Sequence, residues 1–468
     1  MSDDIQLEAS FAATIPLPFR VLFLAGTGIL CWATNLHGLY LLGVNPAAAL
    51  EYKSHDPRNL PSRRITGGSN SLPQPAALYR PVYRLFLAYS IWTFVGWIAF
   101  RAHTSDNTSV WNVDTYKYIP SIVILVICMV LVSPFNYFGK HERDQFIQCV
   151  KRCISSPLSQ PIFFSDVVMA DIFTSFAKVL GDVWLSLCML LPGGSLLVFP
   201  RQEGLSQWVV PCLMSVPYLV RFRQCIVEYI QPTNISRKPL YNAIKYASAF
   251  PVIFLSAAQR VVVEELVAEK GEIVTKESWH GEHPLFRLWL LAAAVNTFYS
   301  YWWDLTNDWG LDLLRSSPKM KQIPSIKDHP SVDTHQNGNG HAHHSSPSKD
   351  GHLAPHPWGL RSTLLFPLPL YPLAVFFNLI LRFTWSIKLS SHLHSHTDGA
   401  MVIFWIEMAE LLRRWMWVFF RVEWEVVRKA DDHIKDAEQF ELSGIPLDED
   451  EFNLGNESMP VKEDGELA

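Results

Sequence analysis

The chain has 468 residues, of which 49% are hydrophobic, 13% aromatic and only 18% charged, with 17 Trp and 28 Phe. Soluble domains carry about a quarter charged residues, so this composition excludes a disordered or fibrous protein and argues against an ordinary soluble enzyme. The net charge of −5 divides unevenly: Asp431 to Ala468 holds thirteen acids against two lysines, which leaves about +6 on the rest, a balance that suits an anionic ligand.

A hydrocarbon core needs about 20 apolar residues per helix. Nine stretches meet that need: 19–42, 85–103, 118–138, 167–192, 206–228, 241–262, 284–305, 363–388 and 399–421. The expected fold class is an all-α, polytopic transmembrane helical bundle of about nine spans, without internal repeats. Residues 1–18 read as a short lumenal N-terminus. The first span is too long for a cleaved signal peptide and is preceded by Asp3, Asp4 and Glu8 in place of a basic flank. The seven cysteines lie mostly inside apolar runs (Cys31, Cys128, Cys188, Cys212) and no CxxC occurs, so they read as membrane-buried thiols and imply neither a disulfide frame nor a metal site.

Loop charges set an orientation. Lys53, Arg58, Arg63, Arg64, Arg80 and Arg84 follow span one; Lys140, Arg143, Lys151 and Arg152 follow span three; Arg237 and Lys238 follow span five; Lys319, Lys321 and Lys327 follow span seven. The alternate loops are poorer in Lys and Arg. The N-terminus is therefore expected in the lumen and the C-terminus in the cytosol. The sequon at Asn107 falls in a predicted lumenal loop, where it is a glycosylation candidate; those at Asn234 and Asn456 fall on the cytosolic side. Residues 140–157 place Phe146, Ile147, Val150 and Ile154 at helical spacing and predict an interfacial helix. Residues 316–358, with His341, His343 and His344, read as a low-complexity cytosolic loop for which a solvated linker is preferred to a metal site. The acidic tail 431–468 reads as disordered.

The informative residues are ionisable side chains inside the spans, each costing about 2.5–3.5 kcal/mol at a helix centre on insertion scales. In span four Asp171, Ser175, Lys178 and Asp182 fall on one helical face, and in span seven Asn296, Ser300, Asp304 and Asp308 form another. Span five ends with Arg221, Arg223 and Gln224. Span six carries Asn242, Lys245 and Tyr246; span eight Asn378, Arg382 and Trp385; span nine Glu407, Glu410, Arg413 and Arg414. Two readings stand side by side. Buried salt bridges would fix helix register; alternatively, six polar faces enclose a hydrophilic path. Arg favours the second, because its planar fork grips phosphate or carboxylate bidentately and cannot lose its proton. Interleaved acids would keep binding weak enough for release. Pro211, Pro217, Pro251, Pro367, Pro369 and Pro372 predict kinked or broken helices whose freed backbone lines a cavity. Asp304 and Asp308 also have the i,i+4 spacing of paired catalytic carboxylates or of metal ligands, but no HExxH, nucleophile elbow or P-loop accompanies them.

At these same residues the sequence resembles the EXS family, whose members include phosphate exporters of animals and plants and a Golgi retention protein of yeast. The resemblance runs through Ala170–Ser175, Arg221–Cys225, Asn242–Tyr246, Trp303–Gly310, Leu381–Trp385 and Arg413–Trp415, then Phe419–Glu423, in family order; Thr27–Pro46 resembles the helix that precedes that region. It implies a six-helix domain over 166–430, preceded by three transmembrane helices and the interfacial helix over 19–165. It also implies export of inorganic phosphate along a path formed by Asp171, Thr174, Arg221, Lys245, Tyr246, Asp304, Asp308, Arg382, Trp385, Arg413 and Arg414. Thr174 stands where several exporters carry Asn. About 18 residues precede the first span, too few for the SPX module of plasma-membrane exporters, so the resemblance points to the Golgi branch. The expectation is a non-enzymatic membrane protein of the Golgi, or else of the ER or another endomembrane. It would return lumenal phosphate to the cytosol without a cofactor and would support glycosylation and protein retention. Expected partners are phosphate, the bilayer, and Golgi glycosyltransferases or their sorting receptor; nucleic acid is not among them. The rival expectation is a trafficking adaptor that recycles glycosyltransferases without transport.

Overall fold

The computed structural model describes residues 11–50, 75–104, 110–137, 139–155, 162–198, 200, 204–270, 284–311, 313, 360, 361, 363–383 and 399–442. Among them there are helices and no strands. The α-helices are α1 (Leu17–Leu41), α2 (Pro46–Ala49), α3 (Pro75–Thr104), α4 (Val110–Thr115), α5 (Tyr118–Val132), α6 (Lys140–Ser155), α7 (Phe164–Ser175), α8 (Ala177–Leu190), α9 (Val209–Ile230), α10 (Lys238–Ala247), α11 (Ala249–Lys270), α12 (Pro284–Trp303), α13 (Leu370–Arg382) and α14 (Ala400–Leu442). The chain divides into a large unit, Met1–Trp424, and a small one, Glu425–Ala468.

Among the described residues, three helices are long and apolar enough to cross a membrane: Leu17–Leu41, Ala76–Thr104 and Val113–Val132. A fourth crossing is available if α7 and α8, bent by 59° at their junction, act together. Nine spans were expected. The other helices over predicted spans carry too many charges, amides and polar aromatic side chains, or are too short, to qualify on length and apolar composition. Of the three that qualify, the apolar stretch of α1 is 44% buried, whereas those of α3 and α5 are 11% and 17% buried. α1 is therefore the inner helix, and α3 and α5 turn Ile91, Phe94, Ile98, Leu125 and Met129 outward, as lipid contact requires. α3 begins ten residues before the predicted span, so Arg80, Arg84 and Pro81 are helical and not in a loop.

α6 forms where its apolar spacing predicts. Its buried Arg143 donates to the carbonyls of Val130, Leu131 (3.4 Å), Ser133 (3.1 Å), Phe135 (3.1 Å) and Tyr137 (3.0 Å). These include orphan acceptors at the end of α5, which a cation at a helix C-terminus satisfies.

Two predicted spans are broken. Span four separates at Phe176 into α7 and α8, and span six separates at Ser248 into α10 and α11. At each break a hydroxyl takes a backbone carbonyl three residues back: Thr174 Oγ1 donates to Asp171 O at 2.7 Å and Ser248 Oγ to Lys245 O at 2.7 Å. Such bonds compete with the helical ladder and bend it. Pro251, lacking an N–H, cannot donate to Ala247 and adds to the second break. The predicted single stripe Asp171–Ser175–Lys178–Asp182 is thus divided, and its halves join different partners. Pro211 and Pro217 lie inside the continuous α9, while Pro369 caps α13 and Pro372 sits in its first turn. α14 is helical through Leu442, so the first dozen residues of the predicted disordered tail are helix. The remainder of that tail, the loop 316–358 with its histidines, and the sequons at Asn107 and Asn456 lie outside the described residues.

Candidate functional site: a buried chain of alternating charges

α7, α9, α10, α13, α14 and the turn after α12 bring their charged faces together inside the large unit. At one end Arg221 Nε donates to Asp171 Oδ1 at 2.8 Å and its Nη1 to Gln224 Oε1 at 2.6 Å. The Tyr246 hydroxyl donates to the same Asp171 oxygen, and its ring lies 4.9 Å from the Arg221 guanidinium and 5.1 Å from Lys245 Nζ. Lys245 then reaches Asp308 at 3.1 Å and Asp304 at 3.6 Å. Asp304, with no exposed side-chain surface, also accepts from Arg382 (Nε at 3.2 Å) and from Asn378 at 3.3 Å, and faces Arg413 Nη1 at 3.6 Å. Arg413 pairs with Glu410 at 2.6 and 2.9 Å. Ser175 donates to Glu410 at 2.7 Å and accepts from Arg414 Nε at 3.0 Å; Arg414 Nη2 donates to Thr174 Oγ1 at 3.0 Å. Arg421 stands 3.9 Å from Asp308.

Among the described residues of this chain, Arg421 aside, five cations (Arg221, Lys245, Arg382, Arg413, Arg414) meet four carboxylates (Asp171, Asp304, Asp308, Glu410). The surplus is positive. Arg414 contacts two hydroxyls and the Trp417 ring (4.5 Å) and has no carboxylate partner among the described residues. Buried polar atoms close to the chain also lack a hydrogen-bond partner among the described residues: the donors Gln224 Nε2 and the indole N–H of Trp303 and Trp417, Arg413 Nη1 apart from its 3.6 Å approach to Asp304, and the acceptors Asp304 Oδ1 and Asn378 Oδ1. An unmet buried donor costs about 1–3 kcal/mol. A cluster with spare donors and excess positive charge is suited to taking up an anion.

The aspartates are presented by an irregular turn. Asp304–Asp308 is a π-helical turn, closed by Trp309 N–H to Asp304 O at 2.8 Å, with Leu311 N–H on Leu305 O at 2.8 Å. Such turns recur at functional sites because they re-aim side chains; here both carboxylates converge on Lys245. Gly310 follows with φ +62°, and a Cβ there would lie 2.4 Å from the Trp424 ring. Gly310→Ala is expected to cost about 2–4 kcal/mol from left-handed backbone and overpacking together. A thermal melt of the detergent-purified variant checks this, and a melting temperature equal to wild type would contradict it.

Two further groups lie beside this chain. Arg361 pairs with the fully buried Glu423 at 2.6 Å, and Glu423 also accepts from Tyr371 and from the Leu365 N–H at 2.8 Å. The second half of the divided stripe, Lys178 and Asp182, pairs internally and with Glu407 (3.6 Å).

The structure therefore gathers Asp171, Thr174, Arg221, Lys245, Tyr246, Asp304, Asp308, Arg382, Arg413 and Arg414 into one connected group. Trp385 and the glycosylation candidate Asn107 lie outside the described residues. Glu410, Ser175 and Gln224, which the sequence places on the polar faces but which the family-implied path omits, are members as well. The i,i+3 spacing of Glu410 and Arg413 was the available signal; that Gln224 keeps an unmet N–H is visible only in three dimensions.

A sequence model of the EXS family matches residues 15–427. Protein ERD1 homolog 2 of Schizosaccharomyces pombe is 27% identical over 428 residues, covering 87% of this chain and 96% of the relative. Protein ERD1 homolog 1 of the same yeast is 26% identical, covering 89% and 92%. Phosphate transporter PHO1 of Arabidopsis thaliana is 24% identical over 383 residues, which cover 80% of this chain and 40% of that protein.

Proposed function

The chain belongs to the EXS family, and from that premise we propose that it carries inorganic phosphate across an endomembrane, from lumen to cytosol, along the buried chain of alternating charges. The observation that carries this reading is the surplus of Arg and Lys inside a membrane protein, with Arg414 held by two hydroxyls and no carboxylate among the described residues, and the buried N–H groups of Gln224, Trp303 and Trp417 without a hydrogen-bond acceptor there. Phosphate offers several acceptor oxygens and one to two negative charges, which match those donors. The neighbouring Asp304, Asp308 and Glu410 compete for the same cations and so limit the depth of the binding well, as passage requires. The name of the matched plant relative, a phosphate transporter, supports the choice of anion.

In this reading nine segments cross the bilayer, the last six forming the conducting domain, where charged faces turned inward offset a modest apolar content. Trp385 completes the path. The membrane is that of the Golgi, whose glycosylation reactions release phosphate into the lumen, and clearing it supports glycosylation and protein retention. The protein does no bond-making chemistry. Asn107 is lumenal and the C-terminal tail cytosolic. Protease added to sealed vesicles is therefore expected to remove the tail while Asn107 carries glycan. A tail that survives until detergent is added would reverse the orientation.

The direct test is phosphate flux into liposomes containing the purified protein alone. Saturable phosphate movement absent from empty liposomes is expected. Absence of flux, with tail deletion mislocalising glycosyltransferases in cells and intramembrane Arg substitutions tolerated, would replace transport by the adaptor reading.

A further inference from the structure

The interfacial helix α6 and the start of α7 bring together three side chains that take no part in the charged chain. Cys149 and Cys153 are four residues apart on α6, hence on one face, and that face packs against α7. Asp166 stands in the first turn of α7. The ligand atoms of these three lie within 4.8 Å of one another, and all three residues are buried. Cys149 Sγ is 3.2 Å from Asp166 Oδ1, and Cys153 Sγ is 3.4 Å from the Asp166 backbone carbonyl.

We infer that Cys149, Cys153 and Asp166 form a binding site for a thiophilic divalent cation, zinc in the first place. Three arguments carry this. The first is ligand set and spacing. Tetrahedral zinc with Zn–S about 2.3 Å and Zn–O about 2.0–2.2 Å has S···S and S···O edges of about 3.5–3.8 Å, so the observed group closes on the ion with small side-chain shifts. Two thiolates select such an ion over magnesium or calcium. The second is the support of the carboxylate. Arg152 grips Asp166 with Nη2 at 2.7 Å from Oδ1 and Nε at 2.8 Å from Oδ2, leaving on Oδ1 the lone pair now facing the Cys149 thiol. Outer partners of this kind fix a ligand's orientation. They also balance the charge: two thiolates and a carboxylate against zinc and one guanidinium sum to zero. Binding replaces two thiol protons, which leave to solvent. The third is space. A cavity of about 1930 Å³ between α1, α3, α5, α6, α7 and α14 has Cys149, Arg152 and Met169 in its wall, which leaves space on the Cys149 side of the site for a fourth ligand such as water. An occupied site would clamp α6 to α7 five residues before Asp171. The inference stands independently of phosphate transport.

The experiment uses the purified full-length chain, reduced, stripped with chelator and then titrated with zinc or with cobalt alone. Cobalt is expected to produce a thiolate-to-metal charge-transfer absorption in the wild type, and zinc to abolish it at one equivalent. The histidines at 341–344 cannot give that band, having no sulfur. Cys149→Ser and Cys153→Ser should each remove it, and Arg152→Ala should weaken zinc affinity by about 10–100-fold while keeping the band. No band in the wild type would overturn the site, and this reading needs no variant to fold. A band that persists unchanged in a folded Cys149→Ser chain would overturn it as well, by placing the metal on other thiols.

Discussion

Asp304→Asn is expected to be the most damaging single substitution in the charged chain, lowering both folded yield and transport. Asp304 is fully buried and faces Lys245, Arg382 and Arg413 at once. The amide keeps the shape but removes the charge that the three cations share, and it turns one acceptor into a donor pointed at donors. Removing one partner of a buried pair costs about 3–5 kcal/mol, a large share of the 5–15 kcal/mol that holds a typical domain. Size-exclusion profile and melting temperature in detergent measure the loss. A second, compensating change distinguishes charge from geometry: Arg382→Gln placed in the Asp304→Asn background should recover stability, because it withdraws a cation and supplies an acceptor. A double variant as unstable as the two single losses combined would show that the Asp304–Arg382 contact is not the source of the effect.

Arg414→Gln should behave in the opposite manner, keeping the fold and losing flux. The residue is buried but holds only hydroxyls and a ring, so its removal strands no carboxylate. Its loss takes one charge-assisted donor pair from the anion, about 1.5–3 kcal/mol, which is one to two decades in phosphate affinity. In reconstituted liposomes this is read as a flux deficit at limiting phosphate that narrows at high phosphate. Arg382, which the sequence alone would nominate equally, is the poorer probe, because its partner Asp304 responds to its removal. Unchanged half-saturation in a folded Arg414→Gln protein would take Arg414 out of the path.

How the charges pair is the reason one substitution is expected to act on stability and the other on flux. In a low-dielectric interior every charge needs a partner or a wet neighbour. Where a cation has a carboxylate, its first task is structural. Where it has only hydroxyls, it is free to serve a transient anion. Under the transport proposal, the register-fixing and path roles fall to different residues of the same chain. Lys245–Asp308 and Arg221–Asp171 pair helices together, while in the proposed function Arg414 and the unmet N–H of Gln224 serve an incoming ligand.

The sequence by itself determined that this is a helical membrane protein, which helices are the most apolar, and which residues carry charge into the rest. Those conclusions rest on composition and spacing, and both are local: Leu17–Leu41 and Val113–Val132 announce themselves by length and hydropathy, and α6 by its apolar period. The family resemblance in Trp303–Gly310 and Arg413–Trp415 was likewise legible, being a matter of residue order. Only the tertiary structure decided how the charges are shared. A helical wheel treats Asp171 and Asp182 as one face, yet the break at Phe176, beside the Thr174 hydroxyl bonded to the Asp171 carbonyl, sends them to separate groups. Heptad-like spacing puts Asp304 and Asp308 a turn apart, but the π turn, made possible by Gly310 beneath Trp424, aims both at Lys245. Cys149, Cys153 and Asp166 meet across a helix junction whose angle no period encodes. Pairing in each case is a long-range contact, fixed by which helices pack together, and that follows from the summed burial of the whole bundle and not from any one segment.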